Sequence, residues 1–209
     1  ALRGVAQPPE FHPEGDVWTH TLMMLDGLRP PVTTELAWGV LLHDIGKPGT
    51  FRRAPDRIRF DGHVELGLEL ARGILGRLRF SNEETERVLA LIANHMRFMD
   101  APRMRESTLK RFLRMERFDE HLELHRLDCQ SSNGNLTTYD FARERLGALA
   151  PEQLKPTRLI DGADLIALGY RPGPLFKQML GAVEDAQLEG SVATRDAAIE
   201  FVKNRFGTP

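Results

Sequence analysis

Apolar residues recur at helical spacing along nearly the whole chain, while the alternating runs that make half-buried strands are scarce. A chain patterned this way must bury helix stripes against helix stripes, so an all-α fold, a helical bundle, is predicted and sheet-based architectures are excluded. Capping residues mark the helix boundaries. Asp16 caps VWTHTLMMLDGL, in which Val17, Leu22, Leu25 and Leu28 fall near one face and Gly27 and Pro30 end the run. Thr33 or Thr34 starts TTELAWGVLLHDIGK, with Pro48 as its stop. Residues 49–62 hold two pairs of arginines, Pro55 and Gly62 without a clear period and read as a surface loop. A long helix is predicted over 63–80, and Ser81 with Glu84 forms a capping box for NEETERVLALIANHM.

Beyond Pro102, Ser107 is the expected cap of STLKRFLRMER, and the helical pattern continues through FDEHLELHRLDC until Ser-Ser-Asn-Gly breaks it. It resumes in YDFARERLGALA, then in DGADLIALG, PLFKQMLGAVEDAQLEG and TRDAAIEFVKNRF, the last capped by Thr194. Two prolines, Pro151 and Pro156, flank a polar turn and suggest a boundary there. The first 15 residues carry three prolines and two glycines and form an irregular lead-in.

Composition narrows the class of partner. A length of 209 residues with 41% hydrophobic residues suits one large domain, alone or with a small appendage. A formal net charge of −2 weighs against a strongly electrostatic partner such as bare duplex DNA. One cysteine, Cys129, allows no internal disulfide, no secretory leader pattern opens the chain, and no apolar run approaches membrane-spanning length. A soluble cytoplasmic protein is the expectation, with no membrane partner.

The stretch LLHDIGKP, residues 41–48, poses the functional question, because an apolar segment ends in three ionisable groups. His43 and Asp44 sit about 100° apart on a regular helix, but at a helix end beside Gly46 both can turn into one cavity. His20, His63 and His95 also fall at helix ends or in apolar stretches, and Asp128 ends a helical segment one turn after His125. A lone histidine of this kind is usually a core residue bonded to a backbone carbonyl. Several together with buried carboxylates call for a compensating cation. Imidazole and carboxylate suit Zn, Mn, Fe, Ni or Co, and the absence of a thiolate cluster argues against a structural Cys-type zinc site.

His20 in VWTHTL, His43 and Asp44 in LLHDIGKP, and Asp128 in LHRLDC together make the chain resemble the HD-domain metal-dependent phosphohydrolases. The resemblance implies that these four bind one metal. It makes His63 in FDGHVELG and His95 in IANHM available to a second ion bridged by Asp44. One or two divalent ions from among Mn, Mg, Ni, Co, Fe and Zn are the implied cofactors. The stretches GDVWTHTL, RLDCQSSNGN and GADLIALGYRPGPLFKQML narrow the likeness to the C-terminal half of bacterial tRNA nucleotidyltransferases (CCA-adding enzymes) and poly(A) polymerases. It then implies an HD phosphohydrolase domain over 1–150 and a helical extension over 151–209 that resembles the nucleotidyltransferase tail. No Gly-Ser pair followed by spaced acidic residues supplies a polymerase head, so nucleotide addition by this chain alone is not expected.

The activity so implied is a phosphodiesterase or phosphatase on nucleotides or RNA-end phosphates, 2′,3′-cyclic phosphates included. Asp44 and Lys47 are the expected catalytic groups, with Lys47 and Arg97 as substrate contacts; a helix-end lysine and a solvated arginine are the plain alternatives. Two other readings fit the residues, a tRNA-binding body without catalysis of its own and a di-iron oxygenase. The cluster Arg103, Arg105, Lys110, Arg111, Arg114 and Arg117 reads as a solvated face diluted by acids, and Met23, Met24, Met96 and Met99 as core or pocket wall. His12 and His121 receive no role, and His125 is a supporting partner for Asp128.

Overall fold

Local signals decide where most helices begin. In the computed structural model, which describes residues 1–208, Asp16 Oδ1 accepts the Thr19 amide at 2.8 Å and starts α1 (Val17–Gly27). Its other oxygen takes the Gly4 amide at 2.6 Å, so one carboxylate caps a helix and fastens the irregular lead-in beside it. Thr33 caps α2 (Thr34–Leu42) and the Ser81–Glu84 box opens α5 (Asn82–Asn94), both as predicted. α4 (His63–Arg77), α7 (Phe118–Ser131), α8 (Thr137–Ala148), α11 (Pro174–Leu188) and α12 (Arg195–Phe206) also follow the sequence periods, the last capped by Thr194. Among the described residues no helix is long and apolar enough to cross a membrane.

Three local expectations are corrected. Pro48 does not stop the helix begun at Thr34: α2 ends at Leu42, and Pro48 sits in the first turn of a new short helix, α3 (Lys47–Thr50). A first-turn proline gives up only an amide that has no helical partner, so it starts a helix as readily as it ends one. Residues 49–62 are not all loop, because Arg52–Arg53 (β1) pairs antiparallel with Ile58–Arg59 (β2), Arg52 opposite Arg59. Two-residue strands are too short to display alternation. Ser107 lies inside α6 (Glu106–Leu113) rather than capping it; its amide is bonded instead by the Glu189 carboxylate at 2.8 Å.

The chain forms two compact units, residues 1–102 with 117–143, and residues 103–116 with 144–209. The second therefore begins earlier than a boundary at Pro151 and also takes in 103–116, because α6 packs on α11 and on α9 (Pro151–Leu154). In the first unit α2 lies against α1, α5 and α7, and α4 against α5. Met24, Val40, Leu91, Leu124 and Leu127 fill one cluster, and Leu42, Ala71, Leu75, Val88 and Ile92 fill the next. Each fully buried Leu or Met contributes about 1.5–3 kcal/mol relative to exposure. Met24 is core, whereas Met23 is 44% exposed.

In the second unit Ile160, Leu165, Met179, Val183, Ala198 and Val202 form the core of α10 (Gly162–Ala167), α11, α12 and their connections. Of the basic cluster, Arg103, Arg105 and Arg117 are exposed as a solvated face would be, whereas Lys110 and Arg111 of α6 and Arg114 just after it are engaged there. Arg111 and Arg114 both bind Glu184, at 2.7 and 2.5 Å, and Lys110 Nζ donates to the Leu188 carbonyl at the end of α11 at 2.7 Å.

Two glycines in the first unit test the packing in opposite directions. A Cβ on Gly46 would lie 2.1 Å from the His63 carbonyl oxygen and 2.7 Å from the Gly67 amide, so Gly46→Ala should cost about 3 kcal/mol or more in urea unfolding. Gly73, mid-helix with open space around it, should gain about 0.5–1 kcal/mol on change to Ala. For Glu184, burial opposes ionisation, but the Arg114 hydrogen bond and the Arg111 charge outweigh it and hold the carboxyl below its ordinary value. Its contribution is therefore complete above the unfolded carboxyl pKa and is lost as pH falls through the lower folded value. Glu184→Gln should flatten the acid limb of the stability profile measured by thermal melts.

Candidate metal centre

Three of the histidines are set by the same local device. His43 follows the last residue of α2, His95 follows the last residue of α5, and His63 is the first residue of α4. Each places Nδ1 on the carbonyl three residues earlier: His43 on Val40 at 2.8 Å, His95 on Ile92 at 2.7 Å, His63 on Phe60 at 2.9 Å. A carbonyl only accepts, so Nδ1 carries the proton and Nε2 presents a lone pair inward. For His20, in α1, the Glu14 carboxylate plays the carbonyl's part, 2.7 Å from Nδ1.

The Nε2 atoms converge. His20, His43 and Asp128 offer ligand atoms within 4.8 Å of one another, and Asp44, His63 and His95 do the same. The two groups adjoin through the neighbours His43 and Asp44, whose Nε2 and Oδ2 lie 3.2 Å apart. His20 Nε2 is 3.1 Å from Asp128 Oδ1, and His63 Nε2 is 3.4 Å from His95 Nε2. The Nε2 atoms of His20 and His43 are buried without a hydrogen-bond partner. Inward-facing imidazole nitrogens without a hydrogen-bond partner, beside carboxylates, are the donor set a divalent cation takes, so these residues fit one.

Burial works against the Asp44 carboxylate, but the neighbouring His43 imidazole and the Lys47 ammonium outweigh it and hold its pKa well below the ordinary value. Burial works against ionisation of Asp128 too, but the His20 imidazole 3.1 Å away outweighs it and holds the carboxyl far down. His20 is raised to about 9, because Asp128 and Glu14 outweigh burial. His95 goes the other way, to about 4, through burial reinforced by the His43 charge.

Above the two groups opens a cavity of about 470 Å³ with Asp44, Lys47, His63, His95 and Asp128 in its lining. Lys47 is buried in that wall, with Nζ 2.7 Å from Asp44 Oδ2 and 2.7 Å from Gln7 Oε1. Met96 and Met99 belong to the lining, as expected of pocket-wall methionines. Arg97 does not; its Nη1 donates to Asn94 Oδ1 at 2.8 Å. His125 lines the cavity and stacks on Phe98 at 4.3 Å, with Nε2 directed at Thr138 Oγ1 (2.8 Å) rather than at Asp128. Burial pushes its pKa down to about 4.

Sequence reasoning passed over Gln7, His12 and Glu14. Glu14 Oε1 binds both His12 Nδ1, at 2.8 Å, and His20 Nδ1, and its side chain is only 4% exposed. The irregular lead-in is therefore part of the centre. The one available signal was a carboxylate six residues before His20, which no helical period connects to it.

The family model described as the HD domain matches residues 16–167. The chain is 35% identical over 203 residues to an A-adding tRNA nucleotidyltransferase of Deinococcus radiodurans, covering 90% of this chain and 46% of that protein. It is 34% identical over 197 residues to a CC-adding tRNA nucleotidyltransferase of Thermus thermophilus, covering 88% and 44%. A multifunctional CCA protein of Methylobacillus flagellatus is 26% identical over 210 residues, covering 96% and 47%. The chain thus spans about half the length of the curated relatives it matches. With the family model matched over residues 16–167 and its helices carrying the converging His and Asp side chains, this chain belongs to the HD-domain family.

Proposed function

We propose that the chain is a metal-dependent phosphoester hydrolase acting on nucleotides or RNA-end phosphates, 2′,3′-cyclic phosphates among them. The observation that carries this reading is the meeting of His63 Nε2 and His95 Nε2 at 3.4 Å, within 3.7 and 3.9 Å of Asp44 Oδ1. Two lone pairs that close repel unless a cation lies within reach of both. His20, His43, Asp44 and Asp128 would hold one divalent ion, and His63 and His95 a second shared through Asp44. Such ions supply acidification of water and neutralisation of charge on phosphoryl oxygens.

The chain's own groups do the rest. Asp44, kept ionised, orients the attacking water by accepting its O–H. Lys47 Nζ, held between Asp44 and Gln7, is the point charge that meets a phosphoryl oxygen. His95, held neutral, keeps Nε2 free to coordinate. Attack on phosphorus breaks the P–O ester bond, and the proton released by the attacking water ends on the leaving oxygen to give the alcohol.

The relatives' names support a second reading, in which this half of a nucleotidyltransferase holds tRNA and hydrolyses nothing. A metal-reconstitution screen separates the two. The protein loaded with Mn, Co, Ni, Mg, Zn or Fe is assayed on phosphomonoesters, 2′,3′-cyclic nucleotides and nitrophenyl diesters. Turnover with at least one ion is expected, with Asp44→Asn lowering kcat by about 100-fold or more. An unchanged rate in that variant removes Asp44 from catalysis, turnover of nothing favours the tRNA-holding body, and oxygen uptake by the iron-loaded protein points to an oxygenase. Separately, Glu14→Gln should weaken divalent-metal affinity by about 10–100-fold in competition with a chelating dye, while exposed Glu10→Gln leaves it unchanged.

A further inference from the structure

The wall of the cavity beyond the metal groups has a composition that hydrolysis of a single phosphoester does not require. The β1–β2 hairpin contributes Arg57, Ile58, Arg59 and Phe60 to the lining. Phe60 is also the residue whose carbonyl orients His63, so the hairpin is joined directly to the centre. Residues 51–61, FRRAPDRIRFD, hold four arginines against two aspartates in a chain of net charge −2. Arg52 is paired with Asp61 and Arg59 with Asp56, at 2.8 and 2.7 Å. The Arg59 side chain is still about a third exposed, its Nε is buried without a hydrogen-bond partner, and Arg57 is exposed. Large apolar side chains are uncovered in the same lining: Phe11 is 48% exposed and Met99 58%.

A mononucleotide brings one phosphate, which the floor of the cavity would take, leaving exposed Arg57 without a phosphate to meet. A strand brings further phosphates for it and further bases for exposed apolar faces. Arginines that follow a backbone, together with aromatic surfaces on which bases stack, are the combination that binds single-stranded nucleic acid.

Resting on the hydrolase reading of the centre, we propose that the hairpin and the apolar rim form a track for a single-stranded polynucleotide. Arg57 and Arg59 hold backbone phosphates, Phe11 and Met99 receive bases, and the strand's end reaches Asp44.

The test is fluorescence anisotropy with the full chain and a fluorescein-labelled single-stranded oligoribonucleotide of about a dozen residues, alongside nitrophenyl-ester hydrolysis. Arg57→Glu and the double variant Arg57→Ala/Arg59→Ala should each weaken binding about tenfold or more. The double variant should also lower the slope of log affinity against log salt by about 0.7 per contact removed. Phe11→Ala should weaken binding about fivefold or more, with little change in salt slope. The charge-matched control Arg77→Glu, on an exposed turn of α4, should bind within twofold of the parent. Thermal melts establish that each variant is folded. The track is overturned if the hairpin variants bind RNA like the parent, or if an acidic peptide of equal charge competes as well as RNA. Because binding and ester hydrolysis are read separately, a hydrolysing protein with hairpin-independent RNA binding sinks the track alone. Hairpin-dependent binding without hydrolysis by any metal form sinks the hydrolase alone.

Discussion

Two carboxylates, Asp44 and Asp128, remain ionised in an interior lined by imidazoles, and the rest of the first unit is arranged around that cost. Burying an uncompensated carboxylate costs several kcal/mol, so the fold tolerates two only where positive charge and polarised N–H groups converge on them. His20 and Lys47 provide these from α1 and α3. Holding them there requires close helix packing. Gly39 on α2 lets Leu91 of α5 approach to where a Cβ would sit 2.6 Å away, and Gly46 brings the turn after α2 against the backbone of α4. Apolar clusters on both sides of α2 fix its end, and that end carries His43 and Asp44.

One hydrogen bond does two tasks at His43 and at His95. The last carbonyls of a helix have no helical partner, and those of Val40 and Ile92 fall in that class. The imidazole that follows satisfies the orphan carbonyl through Nδ1 and, by doing so, fixes its tautomer with Nε2 facing inward. The helix terminus and the ligand are thereby made by the same contact, which is why the ligands sit where helices stop. His20 has no orphan carbonyl within reach, since it lies inside α1, and the lead-in supplies Glu14 in its place. Gln7 does the same for Lys47. A segment without regular structure is thus held in place by the polar groups it serves.

This division explains what could be read in advance. Helix starts at Asp16, Thr33, Ser81 and Thr194 were legible because a capping side chain and the amide it accepts are three residues apart. The six residues expected as ligands come together as two adjoining groups, and their types and order were visible in the sequence. Glu14, Gln7 and His12 were not, because their partners are set by how the lead-in folds back on α1, which leaves no period. Pro48 was misread for the complementary reason. A proline's local rule allows both a stop and a start, and only the turn through Gly46 chooses between them. The β1–β2 pairing fell below the length at which alternation carries information.

The same distinction governs the basic residues. Arg111, Arg114 and Lys110 make the densest positive run in the sequence, yet Glu184 and the end of α11 neutralise them within the second unit. The hairpin's four arginines sit beside two aspartates, which pair with Arg52 and Arg59, but Arg57 is exposed in the lining of the cavity. For attraction to a polyanion, what matters is the charge left after internal pairing, measured where a ligand can reach it. Sequence density therefore ranks the two segments in one order and the structure in the other. The net charge of −2 does not decide between them, because it sums residues whose fields are cancelled locally with those whose fields extend into the cavity.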